Sequence, residues 1–149
     1  MMSANPELVK NVNKQIASWT VLYTKLHNYH WYVKGHQFFT LHEKFEELYN
    51  EAAIHIDELA ERLLALKGEP VATLKESLEL SLVHEAEGGE SADQMVEVLN
   101  SDFETLMDHL KSGMELAQQD DDEMTSDMLL SIHQSLEKHA WMLRSFLGK

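Results

Sequence analysis

Four long stretches of this chain repeat apolar residues at three- and four-residue steps, and no stretch reads as a strand. Asn5-Pro6 is an N-cap followed by proline at the first helical position. From there Leu8, Val12, Ile16, Trp19, Leu22, Leu26, His30 and Val33 predict one helix, ended by Gly35. Thr40-Leu-His-Glu43 reads as a capping box that opens a second helix. Its apolar line runs through Phe45, Leu48, Ala52, Ile56, Leu59, Leu63 and Leu66, and stops at Gly68 and Pro70. Thr73-Leu-Lys-Glu76 predicts a short helix and "HEAEGGES" a loop; Ser91-Ala-Asp-Gln94 then caps a third long helix. Gly113 falls inside that helix at a cost of about 1 kcal/mol relative to alanine. "QQDDDE" reads as a turn before a fourth long helix from about Thr125 to Phe146. The expectation is an all-α, antiparallel four-helix bundle, with a short helix in a long crossover that lets helices two and three run parallel.

A chain of 149 residues suits one domain, 1–149, with a real core. There are no cysteines, which excludes disulfides, iron–sulfur clusters and thiol catalysis. No apolar run has the length of a membrane span, and "MMSANPELVK" lacks the apolar core of a secretory signal. A cytoplasmic protein is the expectation. The net charge of −14 gathers cations and repels phosphates. It is uneven, since Lys10, Lys14, Lys25 and Lys34 face only Glu7 in residues 1–34.

Two pairs on helix two hold candidate metal ligands: His42 with Glu46, and Asp57 with Glu61, each four apart on one helix face. Imidazole and carboxylate together suit divalent iron, manganese or zinc. His42 with Glu46 also reads as a capped helix start bearing a surface pair. Asp57 and Glu61 are like charges at a mildly destabilising spacing, and with Glu58 and Arg62 read as the ordinary solvated pair beside them, they are harder to dismiss. His42 is placed in the first helical turn, where the helix dipole disfavours an imidazolium. Glu46 and Asp57 share a side of the helix yet lie about 16 Å apart along its axis. One chain can therefore join His30, His42 and Glu46, and a second copy related by a two-fold axis can add Asp57 and Glu61, giving two equivalent sites per dimer. No histidine has Glu three residues before it, unlike bundles with a di-iron site in the core. His27 and His36 are not expected to be ligands. His109, His133 and His139 read as bundle or interface residues, and the methionines as packing.

"HWYVKGHQFFTLHEKFEELY" followed by "DELAER" resembles the central pattern of the Dps family, the mini-ferritins of the ferritin-like superfamily. The likeness covers nearly the whole chain. It implies a ferritin-like bundle assembled as a hollow dodecamer, an iron-storage and detoxification protein active against oxidative stress. It further implies ferroxidase centres at the two-fold interfaces, each handling two irons and oxidising Fe(II) to Fe(III) with hydrogen peroxide in preference to dioxygen. His30, His42 and Glu46 match the family's ligands from one subunit, Asp57 and Glu61 those from its neighbour. Many members have Asp where Glu46 stands. Trp31 falls at the family's tryptophan beside the centre, where it can intercept oxidising equivalents; as an aromatic core residue it would need no such role.

The basic terminal tail by which family members commonly bind DNA has no counterpart here, and twelve copies at −14 each carry −168. Direct DNA binding is not expected. Asp120, Asp121, Asp122 and Asp127 suggest an acidic pore for cations at a three-fold axis, or else a solvated turn that caps helix four. The competing functions are a DNA-compacting stress protein and a non-enzymatic helical scaffold.

Overall fold

A computed structural model describes residues 5–149. Residues 1–4, part of the N-terminal stretch read above for its lack of an apolar signal core, lie outside the described residues. Five helices make up the described chain: α1 (Pro6–Tyr32), α2 (Phe38–Ala65), α3 (Leu74–Leu80), α4 (Ala92–Gln119) and α5 (Glu123–Phe146). Asn5 caps α1 by accepting from the Glu7 amide, Thr73 caps α3, and Ser91 with Gln94 forms a complete capping box on α4.

Cross-helix contacts give the directions. Asn11 meets His109 while Lys25 meets Asp102, so α1 and α4 are antiparallel. His30 meets His42 while Trp19 meets His55, so α1 and α2 are antiparallel. Lys44 meets His139 while Arg62 meets Asp122 and Thr125, so α2 and α5 are antiparallel as well. It follows that α2 and α4 run parallel, which a short loop cannot achieve. The crossover between them carries α3 along α1, anchored where the Ser18 hydroxyl accepts from the Leu82 amide. Trp19, Tyr29, Phe45 and Phe103 are the largest side chains in the buried core, among leucines from all four long helices. Met95 joins them, whereas Met124 is exposed, so packing does not account for every methionine.

Four local expectations are corrected. Helix α2 begins at Phe38 with Gln37 as its cap and no side-chain cap bond, so Thr40 and Glu43 form no capping box. The turn closes as soon as Gly35 takes φ 103° and its carbonyl accepts from the Phe38 amide, leaving no room for an extended Thr40. His42 therefore lies in the second helical turn rather than the first. At its other end α2 stops ahead of Gly68 as expected, with Lys67 left-handed (φ 65°) and the Gly68 amide closing the turn on the Leu63 carbonyl. Gln118 and Gln119 remain helical, and the turn contracts to Asp120–Asp122, with Asp122 capping α5 at the Thr125 amide. Arg62 does not pair with Glu58. It reaches across the bundle to Asp122 at 3.0 Å and Thr125 at 2.8 Å, partners already fixed by the α5 cap. Burial pushes the Asp122 carboxyl up, but Thr125 and Arg62 outweigh it and hold it below the usual Asp range.

Candidate metal centre

The hairpin between α1 and α2 is latched by two histidines that exchange hydrogen bonds. His30 Nδ1 lies 2.6 Å from the His42 carbonyl, and His42 Nδ1 lies 2.8 Å from the His30 carbonyl. A carbonyl only accepts, so both Nδ1 atoms carry a proton, and in the neutral ring the lone pair is on Nε2. The rings stack 3.8 Å apart and 11° from parallel. Glu46, one turn beyond His42, places a carboxylate oxygen 3.8 Å from His30 Nε2. A metal-ligating histidine ordinarily donates its other N–H to a carbonyl or carboxylate, which is the arrangement these backbone bonds impose.

Aromatic rings extend this stack in both directions. Phe38 lies against His42 (4.8 Å between centroids, 22°), Tyr49 sets its ring against His30 (5.3 Å, 84°), and His27 stacks on Tyr49 (3.8 Å, 20°). His27 Nδ1 is bound to the Tyr23 carbonyl. The sequence reading missed Phe38 and Tyr49. Their spacing of four before and seven after His42 is a signal, but only once α2 is known to begin at Phe38.

Asp57 and Glu61 lie on the same unbroken helix, far along it from Glu46, and both are exposed. They line a shallow surface depression with Tyr23, Ala53, Ile54, Ile56 and Glu58. The chain thus brings together His30, His42 and Glu46 and leaves Asp57 and Glu61 apart. Among the described residues, no group of three or more histidines and carboxylates converges to hold a metal within one chain. Trp31, two-thirds exposed, stands next to His30 in sequence with its ring 5.2 Å from His27, so it is not a core aromatic. Tyr32, Phe39 and Ile54 are exposed as well. Asp120, Asp121 and Asp127 have no ion-pair partner among the described residues, whereas Asp122 is occupied by Arg62 and its cap.

The other histidines are bound differently. His139 and His55 direct Nε2 at the two oxygens of Glu51 (3.0 and 3.1 Å), and Ser135 donates to the same carboxylate at 2.9 Å. His139 Nδ1 faces the Lys44 ammonium at 3.2 Å, which can only donate. The proton of His139 is accordingly on Nε2, spent on Glu51, and no nitrogen is left for a metal. Burial pushes the Glu51 carboxyl up, yet the bonds from His139 and His55 prevail and hold it far below the usual Glu range. His109 donates to the Asn11 carbonyl, and burial pushes its pKa down. His133 meets only exposed Glu137 among the described residues, at 3.5 Å. Among the described residues, no helix is long and apolar enough to cross a membrane.

Comparison with known proteins accords with this geometry. Residues 9–149 match the family model for the ferritin-like domain. The chain is 63% identical over 145 residues to DNA protection during starvation protein 2 of Bacillus anthracis, covering 97% of this chain and 99% of that protein. It is 63% identical over 142 residues to general stress protein 20U of Bacillus subtilis (strain 168), covering 95% and 98%. The crystal structure of Dps from Staphylococcus aureus superposes with a TM-score of 0.95 at 53% identity, over 97% of each chain.

Proposed function

This chain belongs to the Dps family of ferritin-like proteins, and from that premise we propose that it is a ferroxidase that oxidises Fe(II), preferentially with hydrogen peroxide, and stores the ferric product inside a hollow dodecamer. The observation that carries the reading is the latched histidine pair, tied to backbone through both Nδ1 atoms with His30 Nε2 3.8 Å from Glu46, on the helix that presents Asp57 and Glu61 at its far end. Two copies of α2 packed antiparallel complete two equivalent centres, each with His30, His42 and Glu46 from one subunit and Asp57 and Glu61 from the other. Exposed Ile54 and Tyr23, between these half-sites, supply apolar surface for such a contact.

The donor set suits ferrous iron, which is here the substrate: imidazole nitrogen and carboxylate oxygen, without thiolate. Five protein groups shared by two ions leave positions free for water and oxidant. Each Fe(II) gives one electron. The two together reduce one hydrogen peroxide, whose O–O bond breaks as two protons are taken up to give two waters, so no hydroxyl radical is released. Two Fe(III) ions remain, and they hydrolyse and move inward to mineralise. Glu61 bridges the two ions, and Trp31 at the rim intercepts stray oxidising equivalents. Asp120, Asp121 and Asp127, repeated at each three-fold opening, draw cations in, with Asp122 bracing the turn. The acidic surface keeps the shell off DNA near neutral pH, so a gel shift at low salt without divalent cations shows no complex. The protein works in the cytoplasm.

The test is to supply Fe(II) and then peroxide to the purified protein and follow iron and protein through size exclusion. Iron eluting with a particle far larger than 17.2 kDa supports the reading. In the double variant Asp57→Ala with Glu61→Ala, oxidation should fall to the buffer rate; a wild type that already oxidises iron only at the buffer rate, unchanged in that variant, would leave a non-enzymatic helical scaffold as the better account.

A further inference from the structure

The ring column Phe38–His42–His30–Tyr49–His27 is more than the metal-centre reading requires, and it explains how two imidazoles hold one orientation. Each histidine is tied to backbone at Nδ1 alone. A single hydrogen bond fixes the tautomer but leaves the ring free to rock about that contact, because χ2 of histidine is a broad, soft torsion. Stacking removes the rocking. His42 is held between His30 on one face and Phe38 on the other, at interplanar angles of 11° and 22°. His30 has His42 on one side and the ring of Tyr49 standing nearly perpendicular to it at 84°. Tyr49 is backed in turn by His27, stacked at 20° and itself tied to the Tyr23 carbonyl. Tyr23 also touches Tyr49 edge-on, so the far end of the column is braced from two directions. Phe38 and Tyr49 both pack partly into the hydrophobic core, which anchors the column at each end.

We propose that Phe38 and Tyr49 are positioning residues: their rings hold His42 and His30 in one fixed, near-parallel arrangement before any metal arrives. Neither donates an atom to the metal. Their contribution is orientation, made through contacts of the aromatic-pair type in stacked and edge-on geometries. Groups that orient metal ligands in this indirect way change metal affinity or activity by about 10–100-fold when removed. The role rests on the metal-centre reading of His30, His42 and Glu46, and it adds that the rings, rather than the Tyr49 hydroxyl, are what the site uses.

The experiment titrates metal-free protein with Co(II) alone, under nitrogen, and follows the visible d–d bands, which report ligand geometry directly. The proteins are wild type, Phe38→Leu, Tyr49→Leu and Tyr49→Phe, each checked for assembly by size exclusion. In both leucine variants Co(II) affinity should fall about tenfold or more, with altered band positions, while Tyr49→Phe keeps the wild-type affinity and spectrum. Leucine variants that bind Co(II) with wild-type affinity and spectrum would overturn the positioning role. Tyr49→Phe as impaired as Tyr49→Leu would overturn it for Tyr49, by showing that the hydroxyl is the group required. Should Tyr49→Leu fail to assemble, Phe38→Leu poses the same question from the other end of the column. A wild-type protein that takes up no Co(II) would instead remove the metal-centre reading itself, an outcome visible before any variant is made.

Discussion

Replacing Glu51 by glutamine tests whether the α2–α5 contact is held by the hydrogen-bonded carboxylate the structure shows. Glutamine keeps the shape and half the chemistry. Its amide oxygen can accept from only one side, so its NH2 must face the N–H of either His139 or His55, donor against donor. One charge-assisted bond becomes an ordinary one, and the other becomes an unsatisfied buried N–H; His139 and His55 are 4% and 8% exposed, so water cannot easily substitute. A hydrogen bond to a charged group contributes about 1.5–3 kcal/mol and a stranded buried donor costs about 1–3 kcal/mol. The expected loss is about 3 kcal/mol. The sign with pH follows from the depressed carboxyl. Its contribution is fully present above the unfolded Glu value of about 4.3 and is lost as pH falls through the lower folded value. The assay is guanidinium unfolding followed by far-UV circular dichroism at fixed protein concentration, since assembly couples to stability, between pH 7 and pH 3. Wild type should be more stable than Glu51→Gln at pH 7 and lose part of that advantage as pH falls below about 4.3 towards pH 3. A difference under about 1 kcal/mol at pH 7, or one that does not shrink with acid, would refute the argument.

Gly113→Ala inverts the usual helix preference. A Cβ there meets Asn11 Oδ1 at 2.5 Å and Leu129 Cδ1 at 2.9 Å, and Asn11 cannot yield, being tied to Gln15 and the His109 carbonyl. The gain of about 1 kcal/mol from propensity should be exceeded by overpacking of about 1–3 kcal/mol plus a strained buried hydrogen bond, so denaturation should show net loss; a more stable variant would contradict the packing. At the proposed pore, Asp120→Asn with Asp121→Asn and Asp127→Asn should slow iron uptake in stopped-flow while size exclusion shows intact assembly. Unchanged uptake would remove the pore from the account.

The helices were legible because amphipathic periodicity and end signals are local. Asn5-Pro6, Thr73 and Ser91 cap where the pattern places them, since a side chain reaching an amide two or three residues on needs no tertiary help. The Thr40 capping box failed for a tertiary reason. The Gly35 turn and the packing of Phe38 on His42 start α2 earlier, and a four-residue pattern inside a continuing helix caps nothing. Arg62 likewise took a partner from α5 that no spacing within α2 could announce. The candidate ligands were readable as types and spacings, because imidazole and carboxylate chemistry belongs to the residue and helical rise to the backbone. Which histidine keeps a lone pair for a metal was not. That depends on what each ring nitrogen faces: a backbone carbonyl for His30 and His42, a carboxylate and an ammonium for His139. Sequence alone therefore determined the helices and the inventory of donors. Tertiary structure decided which donors are free, because a histidine's proton goes wherever its neighbours, brought from other helices, leave it an acceptor.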